Sequence, residues 1–369
     1  MTKPTLLVVL ALTMLGPPMN ESFGQGSPAA RGAQSPTQPW KFAVSGDSRN
    51  CGDVVMPGIA AAVKQSGAAF YWHMGDFREI EDFDEDMQHQ PRNLSHPMSI
   101  GGYENTAWDD FLENQIKQFA PIPVYLGIGN HDTTFPKTRE QYLIEFANWL
   151  DTPALEAQRL RDNPRAFKLT AYYHWIINGI DFITLDNSTP DQFDSEQIAW
   201  FEQVLRADSG NPQIRTIVAG MHEALPESIS RDHSMNQSEA GTESGRRVYA
   251  DLLNAQNEAH KRVYVLASHS HYFMDGIFNT DYWRRHGGIL PGWIIGTAGA
   301  QRYALPKESK DARAAETNVY GFLLATVNPE GEIDFTFQRL DESRVPAGIV
   351  ELYTQPFVHW CFAQNSVVH

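Results

Sequence analysis

IPVYLGIGNHD, residues 122–132, is the stretch whose reading decides the fold. Residues 122–128 form a short apolar run of strand length. The run ends on Gly129, followed by Asn130, His131 and Asp132, side chains able to ligate a metal or move a proton. Four more runs have the same form. Residues 42–44, 68–74, 214–221 and 263–267 lead within a few positions to Asp47, Asp76, His222, and the pair His269 and His271. Short apolar runs bounded by glycine or polar residues read as buried strands of an α/β sheet. Residues just past the carboxyl ends of such strands gather in one crevice, so side chains far apart in sequence become neighbours. Carboxylate, amide and imidazole groups together suit divalent Mn, Fe or Zn.

The chain has 369 residues, 42% of them hydrophobic, enough to bury a large core. The five runs extend from residue 42 to 267, which favours one enlarged α/β domain over two smaller ones. Against 45 acidic side chains stand 29 basic ones, a net charge of −16. That balance disfavours binding to a nucleic-acid duplex or an anionic membrane. An anionic substrate must therefore be attracted locally, and a pair of divalent cations would supply the field.

At the amino end, Lys3 precedes an apolar stretch over residues 6–16, and Ser22-Phe23-Gly24 has the small-x-small form of a cleavage site. Residues 1–24 read as a signal peptide, too short to anchor the mature protein in a bilayer, so a secreted or periplasmic protein is expected. Residues 25–39 read as a disordered lead-in, residues 40–345 as the main folded domain and residues 346–369 as a carboxyl-terminal tail. Cys51 and Cys361 are the only cysteines. The count excludes a multi-cysteine zinc site and leaves one disulfide open.

Along the domain, a strand at 41–45, a helix at 55–65 and a strand at 68–74 imply a parallel crossover. Residues 79–120 read as an insertion with an acidic stretch at 79–86 and a helix at 108–119. It is either a roof over the crevice or a solvated acidic loop. Residues 138–160 have helical spacing. Hairpins are predicted around Asn178-Gly179 and Asn328-Pro329-Glu330-Gly331, a polar loop or lid at 228–245 and a helix at 246–258. Asp186-Asn187-Ser188 reads as a turn or cap, and residues 296–303 as a wall of the crevice or a set of tight turns. Phe83, Tyr103 and Trp108 offer rings for stacking on a substrate, or for local packing.

In the blocks Gly46-Asp47-Ser48-Arg49, Gly75-Asp76, Gly129-Asn130-His131-Asp132, Gly220-Met221-His222 and Ser268-His269-Ser270-His271, the chain resembles the calcineurin-like metallophosphoesterase family, with all five blocks in the family's order. The resemblance implies a four-layer αββα sandwich of two mixed sheets flanked by helices. It also implies two divalent metal ions, with Asp47 and His271 on the first, Asp76 bridging, and Asn130, His222 and His269 on the second. His131 would act on the phosphoryl group, oriented by Asp132. The implied reaction is hydrolysis of a small-molecule phosphomonoester or phosphodiester by attack of a metal-bridging hydroxide.

The first block departs from the family's Asp-x-His. Arg49 stands where the imidazole is expected, and a guanidinium cannot ligate a metal in the ordinary way. Four consequences are open. The first metal site is weaker, Glu79 or another residue replaces the ligand, Arg49 holds the substrate phosphate, or Arg49 pairs with a local carboxylate. A degraded first site would make the chain a non-catalytic binder of phosphate ligands on the same fold. A serine esterase reading of Gly46-Asp47-Ser48 and Gly129-Asn130 lacks the late Asp-x-x-His pair it requires.

Overall fold

Alternation along the buried strands sets the architecture. Phe42 and Val44 face one apolar cluster while Ala43 faces another; Val218 is separated in the same way from Ile217 and Ala219, and Leu266 from Val265 and Ala267. Successive strand side chains point to opposite faces, so each of these strands is covered on both sides. The computed structural model describes residues 38–165, 168–188 and 192–367. The strands in chain order are β1 Trp40–Ser45, β2 Tyr71–His73, β3 Val124–Leu126, β4 Tyr173–Ile177, β5 Ile180–Thr184 and β6 Thr216–Gly220. After them come β7 Arg262–Ala267, β8 Phe273–Asp275, β9 Gly292–Ile295, β10 Ala314–Glu316, β11 Tyr320–Val327 and β12 Ile333–Leu340.

They form two mixed sheets, one ordered β12-β11-β1-β2-β3 and the other β10-β8-β9-β7-β6-β5-β4. The sheets pack face to face through Phe42, Val44 and Trp72 of the first and Phe182, Val218 and Leu266 of the second. Outside the first sheet, Val54, Val55 and Ile59 of helix Gly52–Ser66 cluster with Ala43 and Tyr71. Outside the second, Phe201 of helix Ser195–Gly210 and Leu252 of helix Glu239–Asn257 cluster with Ile183, Ile217 and Val265. Helix, sheet, sheet and helix make the four-layer sandwich. Full burial of one such large apolar side chain contributes about 1.5–3 kcal/mol, so these three clusters dominate the stability.

Both hairpins close as antiparallel pairs, β4 with β5 and β11 with β12. β1, β2 and β3 run parallel, as do β5, β6, β7 and β9. Three helices differ from expectation because caps lie elsewhere. The helix expected at 246–258 begins at Glu239, where the Ser238 hydroxyl accepts the Gly241 N–H, so it takes up the end of the polar segment 228–245. The helix expected at 108–119 is Ile100–Asn114, capped by Ser99 and followed by a 3₁₀ turn at Ile116–Phe119. Residues 138–160 divide into Arg139–Glu145, Ala147–Leu150 and Pro153–Asp162, with Thr152 and Pro153 starting the last.

Residues 347–363, expected as part of a tail, are two helices, Ala347–Tyr353 and Gln355–Ala363, whose Tyr353, Phe357 and Val358 join the core around helix Gly52–Ser66. Cys361 is disulfide-bonded to Cys51, which stands immediately before that helix. The signal peptide and nearly all of the lead-in lie outside the described residues. Among the described residues no helix is long and apolar enough to cross a membrane.

The acidic stretch is neither a solvated loop nor a simple roof. Asp84 and Asp86 are fully buried with Arg78, whose guanidinium also meets Asp53 and Asp110. Tyr103 donates its hydroxyl to Asp84, and its ring packs with Ile80, Met87 and Ala107; Trp108 is buried as well. Phe83 packs at the edge of that small core. These rings are packing residues.

The Cys51–Cys361 bond closes a loop of 310 residues in sequence separation. Replacing both cysteines by serine is expected to lower unfolding stability by about 2–4 kcal/mol. Denaturant unfolding measures this; a change within error would show that the terminal helices hold without it.

Candidate metal centre

Three of the site residues follow their strands on a bend that ordinary backbone avoids. Asp47, Asp76 and His269 have φ of 61°, 58° and 62°, in the left-handed region, where Asp, Asn and His are tolerated better than other side chains. The preceding glycines are required sterically. Gly75 has φ of 92° and lies against the backbone of Ile128 and Gly129, and a Cβ on Gly129 would collide with the Asp76 carboxylate. The β2 and β3 loops thus interlock only because both positions lack a side chain.

Loops of the two sheets are tied together at this edge. Asp47 Oδ2 accepts hydrogen bonds from the Ser268 hydroxyl and from His269 N at 2.8 Å. His222 donates through Nδ1 to the Met74 carbonyl at 3.0 Å, which turns Nε2 toward Asp76 and Asn130. His271 Nδ1 donates in the same way to the Gln301 carbonyl at 2.6 Å.

Two groups of ligand atoms result, sharing Asp76: Asp47, Asp76 and His271 in one, and Asp76, His222 and His269 in the other. The Asn130 amide oxygen joins the second, 3.0 Å from His222 Nε2, with His269 Nδ1 at 3.1 Å and Asp76 Oδ1 at 3.3 Å. In the first, His271 Nε2 lies 3.3 Å from Asp47 Oδ1. Asp47 Oδ1 and Asp76 Oδ2 are buried with no hydrogen-bond donor. Lone pairs converge on lone pairs, an arrangement that a cation relieves.

The electrostatics agree with that reading. Burial pushes the Asp47 carboxyl up, but the neighbouring His271 and His222 imidazoles outweigh it and bring it to about 2. Burial pulls His222 down, yet Asp76 lifts it to about 10. Burial and His222 hold His269 well below the usual imidazole range, and burial lowers His271 too. A cation entering the second group would replace the His222 proton.

Beside these groups lies His131. Its Nδ1 donates to the Glu79 carbonyl at 2.7 Å, so Nε2 is the free nitrogen, and it faces Arg49 Nη1 at 2.7 Å. Asp132, expected to orient this imidazole, does something else. Its carboxylate accepts the backbone N–H groups of Asp76, Phe77 and Gly129 at 2.9, 3.0 and 2.8 Å, because it points back under the interlocked loops. Burial and the Asp76 charge push its carboxyl up to about 7, against those three donors.

Arg49 is buried and forms a short ion pair with Glu79. The Glu79 carboxylate belongs to neither group of ligand atoms, so the expectation that it replaces the missing imidazole ligand gives way to the local ion pair. Two further histidines lie away from these groups. His73 is buried in packing and burial lowers it to about 3, whereas His174 is held between Asp162 and Asp181. The segment 296–303 does form a wall: Ala298 and Ala300 donate to the carbonyls of Gly46 and Asp47, and the Tyr303 ring stacks on His271 at 4.0 Å.

Asn187 exchanges side-chain hydrogen bonds with the Glu223 backbone at 2.8 and 3.1 Å, and Ser188 donates to the Ile128 carbonyl at 3.3 Å. The Asp186-Asn187-Ser188 turn therefore braces the loops of His222 and Asn130. His233 was not singled out in the sequence. It stacks on Tyr303 at 4.9 Å and lies 5.6 Å from the His269 ring, and only its position in the polar lid segment hinted at this.

The sequence model for calcineurin-like phosphoesterases matches residues 55–273. The chain belongs to the calcineurin-like phosphoesterase family. The match begins beyond Asp47 and Arg49, the block in which this phosphoesterase departs from the usual pattern. Among solved structures the chain is similar to PhoD, with 14% identity, 82% of this chain and 72% of that chain covered, and a TM-score of 0.49. It is also similar to a phosphatase from Mycoplasma pneumoniae, with 13% identity, 82% and 94% covered, and a TM-score of 0.39. Comparison with curated protein sequences gives no match.

Asp132→Ala would strand three buried N–H donors, each costing about 1–3 kcal/mol, so a stability loss of about 3 kcal/mol or more is expected in urea unfolding. Unchanged stability together with a displaced pH–rate profile would instead place Asp132 with His131.

Proposed function

We propose that this phosphoesterase is an exported, metal-dependent hydrolase of a small-molecule phosphomonoester or phosphodiester. The observation that carries the reading is Asp76, shared by two groups of buried lone pairs, with His131 and Arg49 alongside. Asp47, Asp76 and His271 would hold one divalent ion, and Asp76, Asn130, His222 and His269 the other, with Mn, Fe or Zn suited to these ligands. Bound there, the two ions would supply a water made acidic enough to attack and a positive field for the phosphoryl oxygens.

The protein's own groups do the rest. His131 is fixed by the Glu79 carbonyl with Nε2 toward the site, where it takes up or gives back a proton at the phosphoryl group. Arg49 brings two guanidinium N–H edges into the same space, a fork suited to phosphate oxygens once it leaves its present partners. Asp132 keeps the Asp76 and Gly129 backbones in register beneath both. Export is supported by the Cys51–Cys361 bond, which persists in an oxidising compartment.

Turnover of bis-p-nitrophenyl phosphate and p-nitrophenyl phosphate tests the proposal. Activity is expected to vanish on chelation and return with Mn, Fe or Zn, and His131→Ala is expected to lower kcat by about 10²–10⁴-fold. Folded, metal-loaded protein that turns over neither ester would favour a non-catalytic binder of phosphate ligands.

A further inference from the structure

Arg49 is not merely beside the metal centre; it occupies donor atoms of one half of it. Its Nη2 lies 3.3 Å from His271 Nε2. Because His271 Nδ1 already donates to Gln301, that nitrogen has one lone pair, and a guanidinium N–H and a metal ion cannot both use it. Arg49 Nε, buried and without a hydrogen-bond acceptor, lies 3.8 Å from Asp76 Oδ2, the oxygen of Asp76 that lacks a donor. The guanidinium thus faces two of the three residues in the group Asp47, Asp76 and His271. In the other group, the atoms of His222, His269 and Asn130 converge on one another, and their hydrogen bonds among the described residues do not involve Arg49.

Resting on the metal-dependent reading above, we infer that Arg49 makes the two half-sites unequal: the Asp76, Asn130, His222 and His269 site binds a divalent ion tightly, while the Asp47, Asp76 and His271 site binds one only as Arg49 withdraws. A divalent ion held by His271 and the two carboxylates would meet the fixed positive charge of Arg49 beside the same donor atoms. Glu79 is the counter-ion that holds Arg49 in this position, from the ion pair at Nη1. The departure from Asp-x-His therefore does more than remove a ligand, since it puts a competing cation in the ligand's place.

The test is Mn²⁺ binding to the metal-stripped, disulfide-intact protein, read by calorimetry and by electron paramagnetic resonance rather than by turnover. Wild type is expected to take one equivalent tightly and a second at least roughly 10-fold more weakly, the scale on which neighbouring groups tune metal affinity. Arg49→Ala is expected to tighten the second equivalent, and Arg49→His to give two comparable sites with the signal of a coupled ion pair. Arg49→Met, close to arginine in bulk, serves if the smaller side chain perturbs folding; thermal melts establish which variants are folded. Two equally tight ions in wild type, unaltered in the variants, would overturn the inequality and leave the phosphoesterase reading standing. Folded protein that binds no Mn²⁺ in any variant would overturn both.

Discussion

The structure depends on the Asp47 carboxylate joining the two sheets with one oxygen while leaving the other free. Oδ2 takes hydrogen bonds from Ser268 and His269 on the β7 loop, and Oδ1 faces His271 without a donor. The β1 and β9 loops meet at the same place, where Gly46 N donates to the Ile295 carbonyl. A residue in the left-handed region costs about 1–3 kcal/mol, and three such residues lie together here. Buried hydrogen bonds across the sheet junction offset that strain, so the geometry of the candidate metal centre and the junction of the sheets are one constraint. Neither can relax without the other.

A second buried charge system braces the first. Arg78 gathers Asp53, Asp84, Asp86 and Asp110, and Asp84 in turn accepts the backbone N–H groups of Asn50 and Glu79. Arg49 and Glu79 thus sit at either end of a segment anchored by the same carboxylate. Burial pushes the carboxyls of Asp84 and Asp86 up, and the guanidinium opposes it. Such a buried pair contributes little net stability, but removing one partner is costly, so it fixes one arrangement over its alternatives.

The buried strands were legible because short apolar runs bounded by glycine or polar residues are local patterns, and the polar residues just past them are the side chains that the fold brings together. The αββα order came from the family resemblance, since Phe42 facing Phe182 across the sheets is a long-range contact with no local signal. Asp132 shows the limit at the site. Adjacency to His131 suggested a partnership, but the 3₁₀ turn at His131–Thr133 sends the two side chains to different neighbours. The acidic stretch misled for a related reason: Asp84 and Asp86 look solvated until Arg78, six and eight residues before them, is seen buried among them. Helix starts slipped where Ser99 and Ser238 cap earlier than the apolar spacing suggests.

Charge counting shows why the identity of residue 49 matters to a phosphoesterase. Asp47, Asp76 and Glu79 set three carboxylates against one guanidinium around the centre, which leaves it two charges negative with its imidazoles neutral. One divalent ion brings that balance to neutrality, and only a second makes it positive. In a chain of net charge −16, a neutral centre has no surplus with which to draw in a phosphate ester. With histidine at position 49 the same centre would be one charge more negative before metal binds and would have one more ligand for the first ion. With arginine, part of the positive field is covalently fixed, and on the proposed two-ion reading the affinity of the remaining half-site would govern how anion-attracting the crevice becomes.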